Sequence, residues 1–428
     1  MLDWFLSGKI PVRTAWIVFV VVIVVTAAAK LSHFGGIGGD GLIYYAPLRS
    51  FFIDHDLDFT NEFTVLNPSP ANCLPDTHFK TKTGLVPYKY AIGCSVLWIP
   101  FFLLGHWIAL LLHAGGLRIL ATGYSRPEQM AVGLGSVFYG LVGFFLIYKI
   151  LCRWFTRELS TTTVLLLAFT TNAWYYFVIE PSLSHLCSMF AISLFAYFVI
   201  MRHHRIKPLD AFLIGVSAGL MTMVRNQNLP FAVLLLYEFI DAKGRRSLKN
   251  YAGLLPFALA GFVIIMLPQI AFWKVVFGSY IAYSYGTESF DFLHPHLLQT
   301  LFSPNHGLIA WTPMIAVCLA GLPLFIIKKD ARIGLPAALV FLFQWIICSS
   351  WWCWWFMISF GERPFLDISI VFALGLAAFL EKIADRPRLL RTFSYVSIVL
   401  IAWNLCFSVM YTLFRHNHCQ FLHRIIAS

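Results

Sequence analysis

Charge is what this sequence has least of. Asp, Glu, Lys and Arg make up 12% of its 428 residues, where a soluble domain carries about a quarter. With 59% of the chain hydrophobic, an ordinary soluble globular protein is excluded. Zinc-type spacing is lacking too. The nine Cys include no CxxC pair and no Cys/His cluster, and most lie in apolar runs, where they read as small packing residues. Cys73 and Cys94 flank the basic part of the first loop and leave a disulfide open. No Walker motif and no dinucleotide glycine fingerprint occurs, so nothing points to a nucleotide. A cleavable signal is not expected either. The first apolar run is too long for one, and "TAAAKLSHF" is a poor cleavage site.

What the chain has instead is apolar runs of about 17 to 25 residues, each sufficient to span a bilayer. Candidate spans fall at 12–31, 128–149, 159–177, 185–201, 208–224, 229–241, 252–273, 307–327, 333–350, 365–381 and 392–412. They predict an all-α polytopic membrane protein, one domain over 1–428, with about 11 transmembrane helices. The formal net charge of +11 then reports basic cytoplasmic loops rather than nucleic-acid binding. One stretch, Tyr90 to Gly116, is ambiguous. If it does not cross and the N-terminus is cytoplasmic, 19 of the 31 Lys and Arg lie in cytoplasmic segments. If it crosses, "MRHHRIK", "KGRRSLK" and "KKDAR" are all exported, against the positive-inside bias. The charges therefore favour a re-entrant or interfacial helical pair, broken near Pro100 and Gly105. It sits in a long first extracytoplasmic loop, 32–127, with juxtamembrane helices. A twelfth span with an inverted C-terminal half is the alternative.

This topology gathers the notable polar residues on the outer side. Asp40, in "GGIGGDGLIYYAPLRSFF", is the first carboxylate after the first span. A lone carboxylate among glycines suits a general base. It also suits a helix N-cap. Asp54, Asp56, Asp58 and Glu62 read as a solvated polar face. Lys80, Lys82 and Lys89 precede the ambiguous stretch, and Arg225 and Arg363 reach the same side from distant parts of the chain. Lys offers a point charge and Arg a bidentate fork for phosphate oxygens. Lysines in a membrane-side loop also serve for headgroup contact. Arg225 lies between two short spans, at a depth where an ionisable group marks a functional site. Arg363 has a second reading, a structural pair with Glu362 or Asp367. His306 in "SPNHG" is a further donor candidate, and "SSWWCWWF" reads as an interfacial aromatic belt. Tyr44, Tyr45, Glu180, His185, Asn226 and Glu362 are candidates to line a sugar or acceptor pocket.

Cations and a base at a membrane surface imply glycosyl transfer from a lipid-linked phosphate. A clamped phosphate leaves without a general acid, and the attacking hydroxyl needs only a base, Asp40. At this point the chain resembles the GT-C superfamily of integral-membrane glycosyltransferases, among the bacterial relatives of protein O-mannosyltransferases and of the lipid A aminoarabinose transferase. The motifs are "GGDGLIYY" after the first span, the helical loop 40–116, "GLMTMVRNQNLPFAVLLL", "LFSPNHGLIAWTPM" and "FGERPFLDISIVFALGLA". The resemblance implies an all-helical fold and an outward-facing site. It implies a polyprenyl-phosphate sugar donor, transferred with inversion to a cell-envelope glycan or lipid in a bacterial cytoplasmic membrane. Asp40 is followed by Gly41, where the family often has a second acid. One carboxylate makes a poor divalent site, so no metal ligand is assigned and a divalent ion is allowed but not required. The absence of a large soluble C-terminal domain argues against action on folded protein. The rivals are a transporter or flippase for a lipid-linked sugar and a non-catalytic assembly subunit. A transporter should show matching halves, and none is evident here.

Overall fold

The structure, a computed structural model, describes residues 10–33, 37–65, 77–202, 206–239 and 252–426. Cys73 and the basic runs at 203–205 and 240–251 fall outside these. The helices are α1 (Val12–His33), α2 (Asp40–Arg49), α3 (Thr60–Val65), α4 (Gly93–Ala114), α5 (Arg126–Leu151), α6 (Arg157–Thr170), α7 (Ala173–Val178) and α8 (His185–Arg202). There follow α9 (Pro208–Val224), α10 (Leu236–Phe239), α11 (Leu255–Phe277), α12 (Leu297–Phe302), α13 (Leu308–Trp311), α14 (Met314–Lys328), α15 (Ala331–Ser350), α16 (Ser369–Ala384) and α17 (Pro387–Ile426). Among the described residues there is no strand, only an isolated bridge between Phe290 and Trp351.

The all-helical membrane reading holds. Among the described residues, eight helices are long and apolar enough to cross a membrane, and α9 and α14 are shorter apolar ones. α1 shows the logic. Ala15, Phe19, Ile23, Ala27 and Leu31 recur every four residues and are buried, while Ile17, Val18, Val21 and Val25 are apolar yet exposed. A helix apolar all round has one face for protein and the other for lipid. Glycine sets the tightest contacts. Gly215 and Gly219, four apart on α9, meet the backbone and Ile265 side chain of α11, whose Gly261 meets Phe212 in return. Small residues at this spacing let helix backbones approach, the usual basis of packing in lipid.

Several expected spans are interrupted, each for a local reason. The span expected at 159–177 is two helices, α6 and α7, parted at Thr171 and Asn172. Asn404 of α17 donates to the carbonyls of Phe169 and Thr171 there, at 3.0 and 2.8 Å. That satisfies groups a break would leave orphaned. The span expected at 229–241 is instead a 3₁₀ helix, Asn226–Leu235, followed by the single turn of α10. Pro230 lies inside it and prevents a regular α-helix. The span at 307–327 breaks at Thr312 and Pro313 into α13 and α14. That at 365–381 begins as a 3₁₀ turn, Arg363–Ile368, before α16.

The Tyr90–Gly116 stretch corrects another expectation. It is not a broken pair but one unbroken helix, α4. Pro100 costs one backbone bond without ending it, and Gly105 is a contact point rather than a break. A side chain at Gly105 would strike Pro127, Glu128 and Ala131 at the start of α5. Eight residues earlier, the Leu97 carbonyl accepts from Tyr139, midway along α5. From Gly140 onward α5 faces Phe177, Leu186 and Phe190 instead. α4 therefore packs on the first half of α5 at these points. Between α1 and α5 the loop has its own small core, in which Ile43, Phe59, Phe63, Val86 and Tyr88 pack on Phe272 and Val276 of α11.

Candidate active site

Four chain segments far apart in sequence meet at Asp40. The glycines before it have a definite use. Gly39 has φ 56° and ψ −138°, a backbone that side chains avoid, and it occupies the cap position of α2. Gly41 touches Ser182, where any side chain would collide. Asp40 itself is the first helical residue, and no side chain caps this helix end. The capping alternative is thus displaced. The carboxylate instead accepts from Arg363 Nη2 at 2.8 Å.

This pair also corrects the structural reading of Arg363, which does not turn to Glu362 or Asp367. Burial pushes the Asp40 carboxyl up, but Arg363, then Lys89, then Tyr90 outweigh it and hold it below the ordinary carboxylate value. Asp40 is therefore ionised at neutral pH. Arg363 opens its 3₁₀ turn after Gly361, which has φ 66°. Just upstream, Phe356 and Met357 both have φ 52°, a strained conformation for bulky residues, and Phe356 lies under the Arg363 guanidinium.

The second cation, Arg225, ends α9 and is held on several sides. Its Nη1 donates to Ser184 Oγ at 2.9 Å, and its Nε stands 3.4 Å from Asp367 Oδ2. Nη1 also lies 3.4 Å from both ring nitrogens of His185, a position over the ring. His185 directs Nδ1 to Asp367 Oδ1 at 2.8 Å, and Ser188 donates to Asp367 Oδ2 at 2.8 Å. Tyr44 hydrogen-bonds Ser184 Oγ at 3.1 Å and stacks on Tyr90, ring centres 4.5 Å apart. Tyr90 in turn meets Tyr285 edge-on.

The third cation is Lys89. It pairs with Glu288 at 2.6 Å, both about a quarter exposed, and lies over Tyr90 and Tyr285. The three cations thus each have a carboxylate: Arg363 with Asp40, Lys89 with Glu288, Arg225 with Asp367.

Other expected site residues lie elsewhere. Lys80 turns to Thr60 and Asp58 in the loop, and Lys82 is exposed. Tyr45 is buried and donates to the Gly123 carbonyl. His306, at φ 69°, packs against Trp311 and Tyr411. Asn226 is exposed; its neighbour Asn228 is the buried one, donating to Ser188 at 2.8 Å. Glu180 is half-buried beyond the end of α7. Glu362 is 1% exposed with no hydrogen-bond partner on either oxygen. Burial raises it well above the usual carboxylate range, and Arg363 only partly offsets that. Asp367 was named from sequence only as an alternative partner of Arg363, and Ser184, Ser188, Tyr90, Tyr285 and Glu288 were not singled out. Asp367 stands in the "GERPFLD" run and Ser184 in "EPSLSH", so the motifs were visible but not their partners.

The fold defines a class: an integral-membrane protein with the GT-C fold. Residues 119–272 match the model of the family described as dolichyl-phosphate-mannose-protein mannosyltransferase. The chain is similar to the crystal structure of ArnT from Cupriavidus metallidurans in the apo state, with a TM-score of 0.50 and 15% identity. That match covers 86% of this chain and 59% of the other. The same protein bound to undecaprenyl phosphate gives 0.49 and 15%, over 85% and 59%. The chain therefore spans about three-fifths of the length of the structures it matches, and the likeness is one of fold. No curated protein matches. The resemblance read from the sequence is borne out, and the fold is ArnT-like.

Proposed function

We propose that the protein is an inverting glycosyltransferase of a bacterial cytoplasmic membrane. It moves a sugar from a polyprenyl-phosphate donor to a cell-envelope glycan or lipid on the extracytoplasmic side. One observation carries this: an ionised carboxylate, Asp40, paired at 2.8 Å with an arginine and electrostatically coupled to Lys89, where the chain leaves its first apolar helix. In the reaction, the acceptor hydroxyl loses its proton to Asp40 as its oxygen bonds to the anomeric carbon. The bond from that carbon to phosphate breaks, and its electron pair leaves on the phosphate. Arg363, Lys89 and Arg225 stabilise the charge that develops there. Tyr44 and Tyr90 offer a stacked wall for the sugar.

A paired arginine still has N–H groups to offer a phosphate, but the Lys89 ammonium must turn from Glu288 to meet one. Lys89–Glu288 is the cheapest exchange, since both partners already touch solvent. Asp367, with no exposed surface, is the costliest partner to unpair. α4 is long enough to cross, and it is the positive-inside count of the loops that supports a helix kept on the outer side.

Mass spectrometry of lipids that co-purify with the protein tests the donor class. A polyprenyl phosphate or its sugar conjugate is expected, and Arg225→Lys should reduce it because an ammonium lacks the guanidinium fork. Retention of the same lipids by Arg225→Ala at unchanged level would remove Arg225 from the site.

A further inference from the structure

Behind Arg225 stands a buried carboxylate, Asp367, whose role as inferred below rests on the donor reading above. Asp367 is fully buried and lies on the 3₁₀ turn that also presents Arg363. Its Oδ1 faces His185 Nδ1 at 2.8 Å, and its Oδ2 accepts from Ser188 at 2.8 Å and stands 3.4 Å from Arg225 Nε. Ser188 is fixed in turn by Asn228, which also donates to the Met221 carbonyl at 3.0 Å. The carboxylate is thus anchored to α8, and through Asn228 to the end of α9, before Arg225 reaches it. It stands beside the Nε edge of the guanidinium as an ion pair without a hydrogen bond, while Nη1 is turned to Ser184, beside Tyr44.

We propose that Asp367 is a positioning residue. It fixes Arg225 so that the outer edge of the guanidinium faces the donor phosphate, and it binds no substrate itself. The same short turn sets Arg363 against Asp40, so one rigid element fixes the registry between phosphate clamp and base. Two other roles are distinguishable. A carboxylate that merely competes with the phosphate for Arg225 would weaken binding, so its removal would tighten it. A carboxylate that only supports the fold would leave the affinity of the folded protein unchanged.

The test titrates purified full-length protein with undecaprenyl phosphate, and with undecaprenol as the uncharged control, by native mass spectrometry. Asp367→Asn keeps the shape and an acceptor for His185 but frees the guanidinium. The expected result is about a tenfold weaker affinity for undecaprenyl phosphate, corresponding to about 1.4 kcal/mol, with undecaprenol unaffected. Unchanged or tighter phosphate affinity overturns the inference. A second comparison covers failure of Asp367→Asn to fold. Arg225→Met/Asp367→Asn leaves neither charge of the pair unmatched and should bind as Arg225→Met does, because Asp367 acts through Arg225. A further fivefold loss in the double variant overturns it. If the unaltered protein does not prefer undecaprenyl phosphate to undecaprenol, the proposed function falls and this inference falls with it.

Discussion

Replacing Asp40 with Asn separates its chemistry from its ion pair. The amide oxygen can still accept from Arg363, so the hydrogen bond at 2.8 Å survives, donated by the charged guanidinium to an uncharged acceptor. Losing the carboxylate's charge from this partly exposed pair makes a difference of about 1–2 kcal/mol. The difference, with up to about 1 kcal/mol for the lost charge in the first helical turn, puts the stability cost at about 1–3 kcal/mol. Helix capping adds nothing, because Gly39 rather than Asp40 occupies the cap. Loss of a general base costs about 100- to 10,000-fold in rate, or about 3–5 kcal/mol of barrier. The expected Asp40→Asn protein is therefore folded, slightly less stable, and inactive. Turnover is measured in membrane vesicles as release of free polyprenyl phosphate from its sugar conjugate, which requires neither the sugar nor the acceptor to be identified. Near-normal release from a folded variant would refute the role of base and reduce the Asp40–Arg363 pair to a structural contact.

Glu288→Gln should tighten donor binding several-fold in a lipid titration, since it removes the anion that occupies Lys89; weaker binding would show that Glu288 supports the site instead. Cysteines placed one at a time at the exposed positions of Arg118 and Arg126 should react above background with an impermeant maleimide applied outside, whereas labelling only from the cytoplasm would make α4 a span. Burial pushes Glu62 up to about 7 from 4.5, even with Arg49 at 2.9 Å. The folded state thus holds this proton more tightly than the unfolded one. Stability is complete below the unfolded value and falls as pH rises through the folded one, by on the order of 3 kcal/mol. Glu62→Gln should flatten that slope in thermal melts, and an unaltered protein with no such slope would rule out the buried neutral state. Gly215→Val should cost about 1–3 kcal/mol or more by forcing α9 from α11; full thermal stability would mean that the helices tolerate separation.

The sequence by itself determined the class of the molecule and pointed to Asp40, Arg225 and Arg363. Apolar runs without charge have no stable place except in lipid or deep in a core, so the long helices were legible at once, α1, α5, α8 and α15 nearly to their ends. The glycines around Asp40 marked a special backbone, and Arg225 and Arg363 stood out because a charge between apolar runs is costly unless it is matched. Interruptions at Pro230 and Pro313 were weaker signals, since hydropathy averages over them. Tertiary structure alone decided who matches whom. Asp40 and Arg363 are separated by 323 positions, and Lys89 and Glu288 by 199. Local spacing favours Glu362 for Arg363, yet that carboxylate is buried without a hydrogen-bond partner while Asp40 takes the guanidinium. Periodicity describes one helix at a time. Which charges meet depends on how helix ends converge, and that is set by contacts such as Gly41 on Ser182 and Gly93 on the end of α9, between residues with no sequence relation to one another.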